Sequence, residues 1–315
     1  MVVRSVVLTL VAISASFAAD PGLISLAPAD TKVVMGVRVD RSVNSAFGQF
    51  LMKQMQKDDA DFQKFVTSTG FDPRRDLTEV ITVTSADQKG HGLVLARGNF
   101  DLGKISAAAT QQGAALTNYK DVQVITGKTG TDGWIAFLDS RTALVGDSTS
   151  VKAAVDRRGS SSALDVKLSN KVQDVSTRYD AWMVSTAPMS NFAGHVPDKQ
   201  LNGALNGDMI QGIEMASGGV QFGSDIQVSA EAVTRSDKDA SALVDVVKFL
   251  AGMVQLNREK PEVANVAAIL DSMQLKSSGN TMTVSLTVPE PQLEQLMTPK
   301  ANAKKRVVKK VDYTK

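Results

Sequence analysis

His91 and His195 are the whole imidazole supply of this 315-residue chain. Imidazole is the commonest general base and metal ligand near neutral pH, so their neighbours decide what they could do. His91 follows the Lys89-Gly90 turn, and His195 stands in the loop Gly-His-Val-Pro-Asp, neither at ligand spacing from another strong donor. Both read as solvated loop histidines; a zinc site or a Ser-His-Asp triad would have to draw partners from distant parts of the chain. Cysteine is absent, which removes thiol nucleophiles, disulfides and lipid attachment through a cysteine.

Phosphate and dinucleotide chemistry fare no better. Gly127-Lys128-Thr129 resembles the end of a phosphate loop, but residue 122 is valine where the motif requires glycine. The segment also lies between two strand patterns, so it reads as a hairpin loop. No G-x-G-x-x-G opens a helix and no G-x-S-x-G elbow occurs; no cofactor or metal is predicted. Carboxylates are the remaining candidates for acid and base work. Asp58, Asp59 and Asp61 crowd a break between helical patterns, and Asp72 and Asp76 bracket Pro73-Arg74-Arg75. Both groups read as caps and turn chemistry. The sequence therefore points to a non-enzymatic protein, the alternative being a hydrolase whose carboxylates are assembled in a groove between two units.

Composition narrows the partners. Aromatics make up 5% of the chain, with Trp134 and Trp182 its two tryptophans. A protein that stacks bases or sugars usually uses more, and nucleic acid is not predicted as a partner. The formal charge of +2 hides an asymmetry: Lys300 to Lys315 holds seven Lys or Arg against one Asp, a net of +6. Setting aside Arg4 and that tail leaves −5 for residues 19–299. Lys304, Lys305, Arg306, Lys309 and Lys310 are the candidate tether to an anionic envelope surface, set against the plainer reading of a solvated, disordered terminus over 300–315.

Elements must position whatever chemistry there is. Residues 1–18 carry one basic residue, Arg4, then an apolar stretch from Val6 to Ala15 and small residues at Ser16 and Ala18. That pattern predicts a secretory signal peptide cut before Ala19, because the stretch is too short and too rich in Ser and Ala to span a bilayer. The protein is thus expected to be exported, as a soluble periplasmic or extracellular body with no membrane span after cleavage.

The body follows as alternating patterns. Val33 to Val39 reads as a buried strand, and Phe47, Phe50, Leu51, Met55 and then Phe62, Phe65, Val66 repeat at helical spacing. Short strands are expected at 79–84, 92–100, 122–126, 134–138 and 142–145, with helices opening at Asp101 and Asp147. Polar residues 159–174 lack a periodic pattern and mark a boundary. Beyond it, strands at 181–185, 212–222, 225–234, 273–277 and 281–288 frame a long helix from Ser236, where Ser236 and Asp239 form a capping box ahead of an apolar stripe.

The strand–cap–helix plan of LVLARGNFDLGKISAAAT recurs in VSAEAVTRSDKDASALVDVV. Hence the expected fold is α+β, with two tandem similar units over 19–160 and 175–299, each an antiparallel sheet with helices packed on one face. The runs LAPADTKVVMGVRVDRSVNSAFGQFL, GFDPRRDLTEVITVTS and LARGNFD give the chain a resemblance to a family of uncharacterised exported bacterial proteins. They share the Pro-Ala-Asp opening before a valine-rich strand and the Gly-Phe-Asp-Pro step. That resemblance implies export and a domain of unknown function; it brings no activity and no site residues.

Overall fold

The computed structural model describes residues 18–55, 60–85, 92–127, 133–188, 208–260 and 263–292. The strands are β1 (Val33–Arg38), β2 (Leu77–Thr84), β3 (Gly92–Gly98), β4 (Ala115–Tyr119), β5 (Val122–Thr126), β6 (Trp134–Asp139), β7 (Thr142–Gly146), β8 (Ala181–Ser185), β9 (Ile213–Phe222), β10 (Asp225–Thr234), β11 (Gln274–Ser278) and β12 (Thr281–Pro289). The helices are α1 (Pro21–Ile24), α2 (Val39–Ser42), α3 (Ala46–Met55), α4 (Ala60–Thr69), α5 (Pro73–Asp76), α6 (Leu102–Gln111), α7 (Ser148–Asp156), α8 (Val166–Arg178), α9 (Asp208–Gln211), α10 (Asp237–Leu256) and α11 (Ala264–Leu270). The fold is α+β and its sheet is antiparallel throughout.

All twelve strands belong to one sheet, in the order β11-β12-β10-β9-β8-β1-β2-β3-β7-β6-β5-β4. Where the sequence reading expects each unit to own a sheet, β1 and β8 pair along their length and fuse the two halves. The physical reason lies in edge strands: each half alone would expose a row of unpaired backbone groups, and pairing the edges satisfies both. Outward from this seam the orders match. β1 leads to β2 and β3 and then to the returning β7, while β8 leads to β9 and β10 and then to the returning β12.

The helices occupy both faces, a second departure from expectation. Adjacent residues on a strand point to opposite faces, and β3 shows the consequence. Leu93 and Leu95 pack with Val151, Ala154 and Val155 of α7 and with Leu168, Val172 and Val175 of α8. Ala96 turns the other way and joins Ile105 and Ala109 of α6. The register carries that second face across the seam to α10, which buries Leu243 and Val244 against Ala232 and Met282. Helices on each side are what a sheet with two apolar faces requires.

Two segments differ locally from expectation. Residues 166–178, which overlap the stretch 159–174 read as a boundary, form α8, capped by Asp165 through the amides of Lys167 and Leu168. Leu168, Val172 and Val175 sit at helical spacing, but only these three large apolar residues face inward in thirteen, a stripe too thin to stand out. β4 is an exposed edge strand of mixed residues and carries no alternation to read.

Candidate functional site

A set of titratable groups gathers at one end of the seam. Arg38 closes β1, Glu79 pairs with it in register on β2, and Asp180 stands just before β8. Arg38 donates to the Asp40 carboxylate, with Nη2 at 2.8 Å. Asp180 accepts from the Phe222 amide at 2.9 Å, and its other oxygen is 4.0 Å from Arg41. Above them, Asp20 caps α1 through the amides of Gly22 and Leu23 and holds Arg97 at 2.7 Å. Arg97 also reaches the hydroxyl of Thr142.

Glu79 differs from the rest of this group. Its side chain is buried, its Oε2 accepts the Asp20 amide at 3.1 Å, and its Oε1 is buried with no hydrogen-bond partner among the described residues. Burial pushes its carboxyl above the usual range, opposed by that backbone amide and by the charge of Arg38. An acid with such a surrounding could donate a proton. The groups around it, however, are committed to helix capping and ion pairing, and they close over backbone.

A cavity lies elsewhere. It encloses about 510 Å³ beside the first turn of α7, lined by Pro28, Ala29, Asp30, Val83, Thr84, Leu93, Thr149, Ser150, Ala153 and Arg157 among others. Asp30 is the single carboxylate among the described lining residues. Arg157, whose pKa burial lowers, is turned to the Leu26 carbonyl at 2.7 and 3.0 Å. Among the described residues, the carboxylates gathered at the seam do not line this cavity.

A third feature is apolar and faces out. α10 buries its first half through Ala240, Leu243 and Val244, as the capping box and stripe predict; Ser236 Oγ accepts the Asp239 amide at 3.2 Å. Its second half is apolar on the outer side too. Phe249, Met253 and Leu256, at i, i+4 and i+7, are 67%, 43% and 87% exposed, and Val266 of α11 is 40% exposed. Lys248, Arg258 and Lys260 flank this stripe and are exposed. Contiguous exposed apolar side chains of this size mark contact surfaces. Reading one stripe per helix missed it; the signal was a helix end apolar on every side.

Several expected site residues fall beyond the description. His91, His195, Asp58, Asp59 and the tail residues Lys304, Lys305, Arg306, Lys309 and Lys310 lie outside the described residues, as does the Asp61 side chain. Asp72 and Asp76 are inside and act as turn chemistry. Asp72 caps α5 and grips Arg74 at 2.5 and 2.7 Å, and Asp76 grips Arg75 and accepts the Asp72 amide. Gly127 follows β5, which pairs directly with β6, while Lys128 and Thr129 of the phosphate-loop likeness lie outside the described residues. Among the described residues no group of three or more His, Asp or Glu could hold a metal ion, and no helix is long and apolar enough to cross a membrane.

No family model matches the chain, and no curated protein matches it. Among solved structures it is similar to crystal form I of TP0453, with a TM-score of 0.54 at 10% identity over 89% of this chain and 98% of that one. At that identity the likeness concerns the fold alone.

Proposed function

We propose that this chain is an exported, non-enzymatic binding module of the cell envelope that docks on anionic lipid surfaces. The observation that carries the reading is the outward stripe Phe249, Met253 and Leu256 at the free end of α10. Stable attachment of a peripheral protein takes two signals, an apolar insertion and a basic patch. The second is written in the sequence: Lys304, Lys305, Arg306, Lys309 and Lys310 lie in a segment of net charge +6. β12 ends beside α11, where Val288 packs with Ile269, and the basic segment follows it in the sequence. Burying a phenylalanine contributes about 1.5–3 kcal/mol and each basic residue near an anionic surface about 1 kcal/mol. Neither alone suffices.

The apolar signal-like segment over 1–18 and the resemblance to exported proteins support export. The matched strand orders on either side of β1 and β8, with α6 and α10 on the same face, support an internally duplicated plan.

Vesicle flotation tests the docking. The protein is expected to float with phosphatidylglycerol-containing vesicles and not with pure phosphatidylcholine, and to be released by salt. F249E/L256E and removal of residues 304–315 should each weaken recovery at least tenfold. Equal recovery for both variants and wild type, or no flotation at all, would overturn the reading.

A further inference from the structure

We infer that Glu79 and Ser176 form a binding site for the chain's own amino terminus, created by hydrolysis of the Ala18–Ala19 peptide bond. The inference rests on the export reading of residues 1–18. Water adds across that amide; the carboxylate leaves with Ala18, and the amine stays on Ala19, where it takes up a proton.

Ala19 is an unusual place for a cleavage junction to end. It is 6% exposed, and its nitrogen donates to Ser176 Oγ at 2.9 Å, a hydroxyl on a residue 1% exposed in the last turn of α8. One residue on, the Asp20 amide donates to Glu79 Oε2 at 3.1 Å. Successive backbone units are about 3.8 Å apart, so the Ala19 nitrogen stands within about 7 Å of that carboxylate. Glu79 is 5% exposed, and its Oε1 is buried without a partner.

An amide at Ala19 offers one hydrogen, and Ser176 takes it. An ammonium offers three, which could supply the hydrogen bond that Glu79 Oε1 lacks, and it adds a charge to that of Arg38. A buried carboxylate with one oxygen unsatisfied is costly, and a facing cation removes that cost. The other charged groups around Glu79 are already engaged: Arg38 with Asp40, and the Asp20 carboxylate with Arg97. Ala18, which departs, lines a small cavity of about 170 Å³ with Ser169, Val172 and Gln173 of α8, so its loss leaves room for the terminal ammonium. Because Ala19 is buried, cleavage precedes completion of the fold, and the finished fold then closes over its product.

Intact mass of the exported protein and amine labelling of its native and urea-unfolded forms test this together. The mature chain is expected to begin at Ala19, with its α-amine labelled at least tenfold more slowly in the native state than in urea. E79Q should abolish most of that protection. A chain carrying Gly-Ser ahead of Ala19 should melt several degrees lower than the mature chain, and this second variant keeps the question open to test if E79Q does not fold. Equal labelling of the native and unfolded α-amine, equal melting of the extended and mature chains, or a mature terminus at another residue would overturn the inference. A retained leader would overturn the export reading as well, whereas cleavage at Ala19 with a freely reactive amine would sink only the docking of the terminus.

Discussion

Gly36 on β1 lies directly beside Trp182 on β8, and the indole covers the space where a side chain at position 36 would begin. Trp182 is paired on its other side with Gly219 of β9, whose own open face is covered by the Tyr179 ring. The seam between the two halves is thus a row of glycine, tryptophan and glycine. Aromatic rings cover the stretches of backbone that the glycines leave bare, which is how a strand tolerates glycine in its interior.

Gly36→Ala should therefore destabilise the protein by about 1–3 kcal/mol, because the methyl overlaps a buried ring with backbone on either side. Trp182→Ala should cost about 3–5 kcal/mol by removing the ring altogether. Urea unfolding midpoints followed by far-ultraviolet circular dichroism measure both. A Gly36→Ala midpoint equal to wild type would show that the indole can move aside.

The shared sheet and α8 bind the halves into one cooperative body. Leu168→Ala, at a fully buried position packed in the same cluster as Leu95 and Val184, is expected to lower stability by about 2–5 kcal/mol while keeping a single transition. Calorimetry reads the outcome. Two resolved transitions in wild type would mean that the halves unfold separately.

The two sides of α10 should respond oppositely to substitution. Leu243→Ala removes a buried side chain and should cost about 2–5 kcal/mol, whereas Phe249→Glu changes an exposed position and should leave the melting temperature nearly unchanged. Vesicle binding should show the reverse, falling for Phe249→Glu and persisting for folded Leu243→Ala.

Stability should also depend on pH through Asp72. The Arg74 guanidinium holds the Asp72 carboxyl below the ordinary aspartate value of 3.8. The folded pKa is thus below the unfolded one, so the stability this residue supplies is present above the ordinary value and is lost as pH falls through the depressed one. Asp72→Ala, which also removes the cap of α5, should cost about 1 kcal/mol at pH 7. Acid titration of both proteins by circular dichroism should show the difference shrinking toward low pH.

Glu79 tilts the other way in a chain that carries residues ahead of Ala19. Its carboxyl is raised by burial, so the stability it supplies is present at low pH and lost as pH rises through that raised value. Arg38 opposes the shift, while Asp20 and Asp40 add to it. Melting temperatures of the extended chain should fall, as pH rises above the ordinary glutamate value of 4.5, more than those of the extended E79Q chain. Parallel profiles would show that Glu79 is already paired.

Much of this was legible residue by residue. β10 runs from Asp225 to Thr234 as its alternation predicts, α10 starts at the Ser236 cap, and Asp72 and Asp147 cap the turns they were expected to cap. Capping, turn chemistry and apolar periodicity act within a few residues, so a linear reading reaches them. α8 escaped because three inward residues among thirteen suffice once a neighbouring sheet supplies the rest of the apolar surroundings.

The sequence by itself determined the α+β class, the antiparallel strands, the absence of thiol chemistry and the basic tail, since each follows from residue type or local spacing. Tertiary structure alone decided that β1 and β8 join two edges into one sheet, that helices cover both faces, that Glu79 is buried against the Asp20 amide, and that Phe249 faces out while Leu243 faces in. These are facts about residues distant in the chain. Strand partners, burial and the charge around a carboxylate are set by which surfaces meet, and no local pattern encodes that meeting.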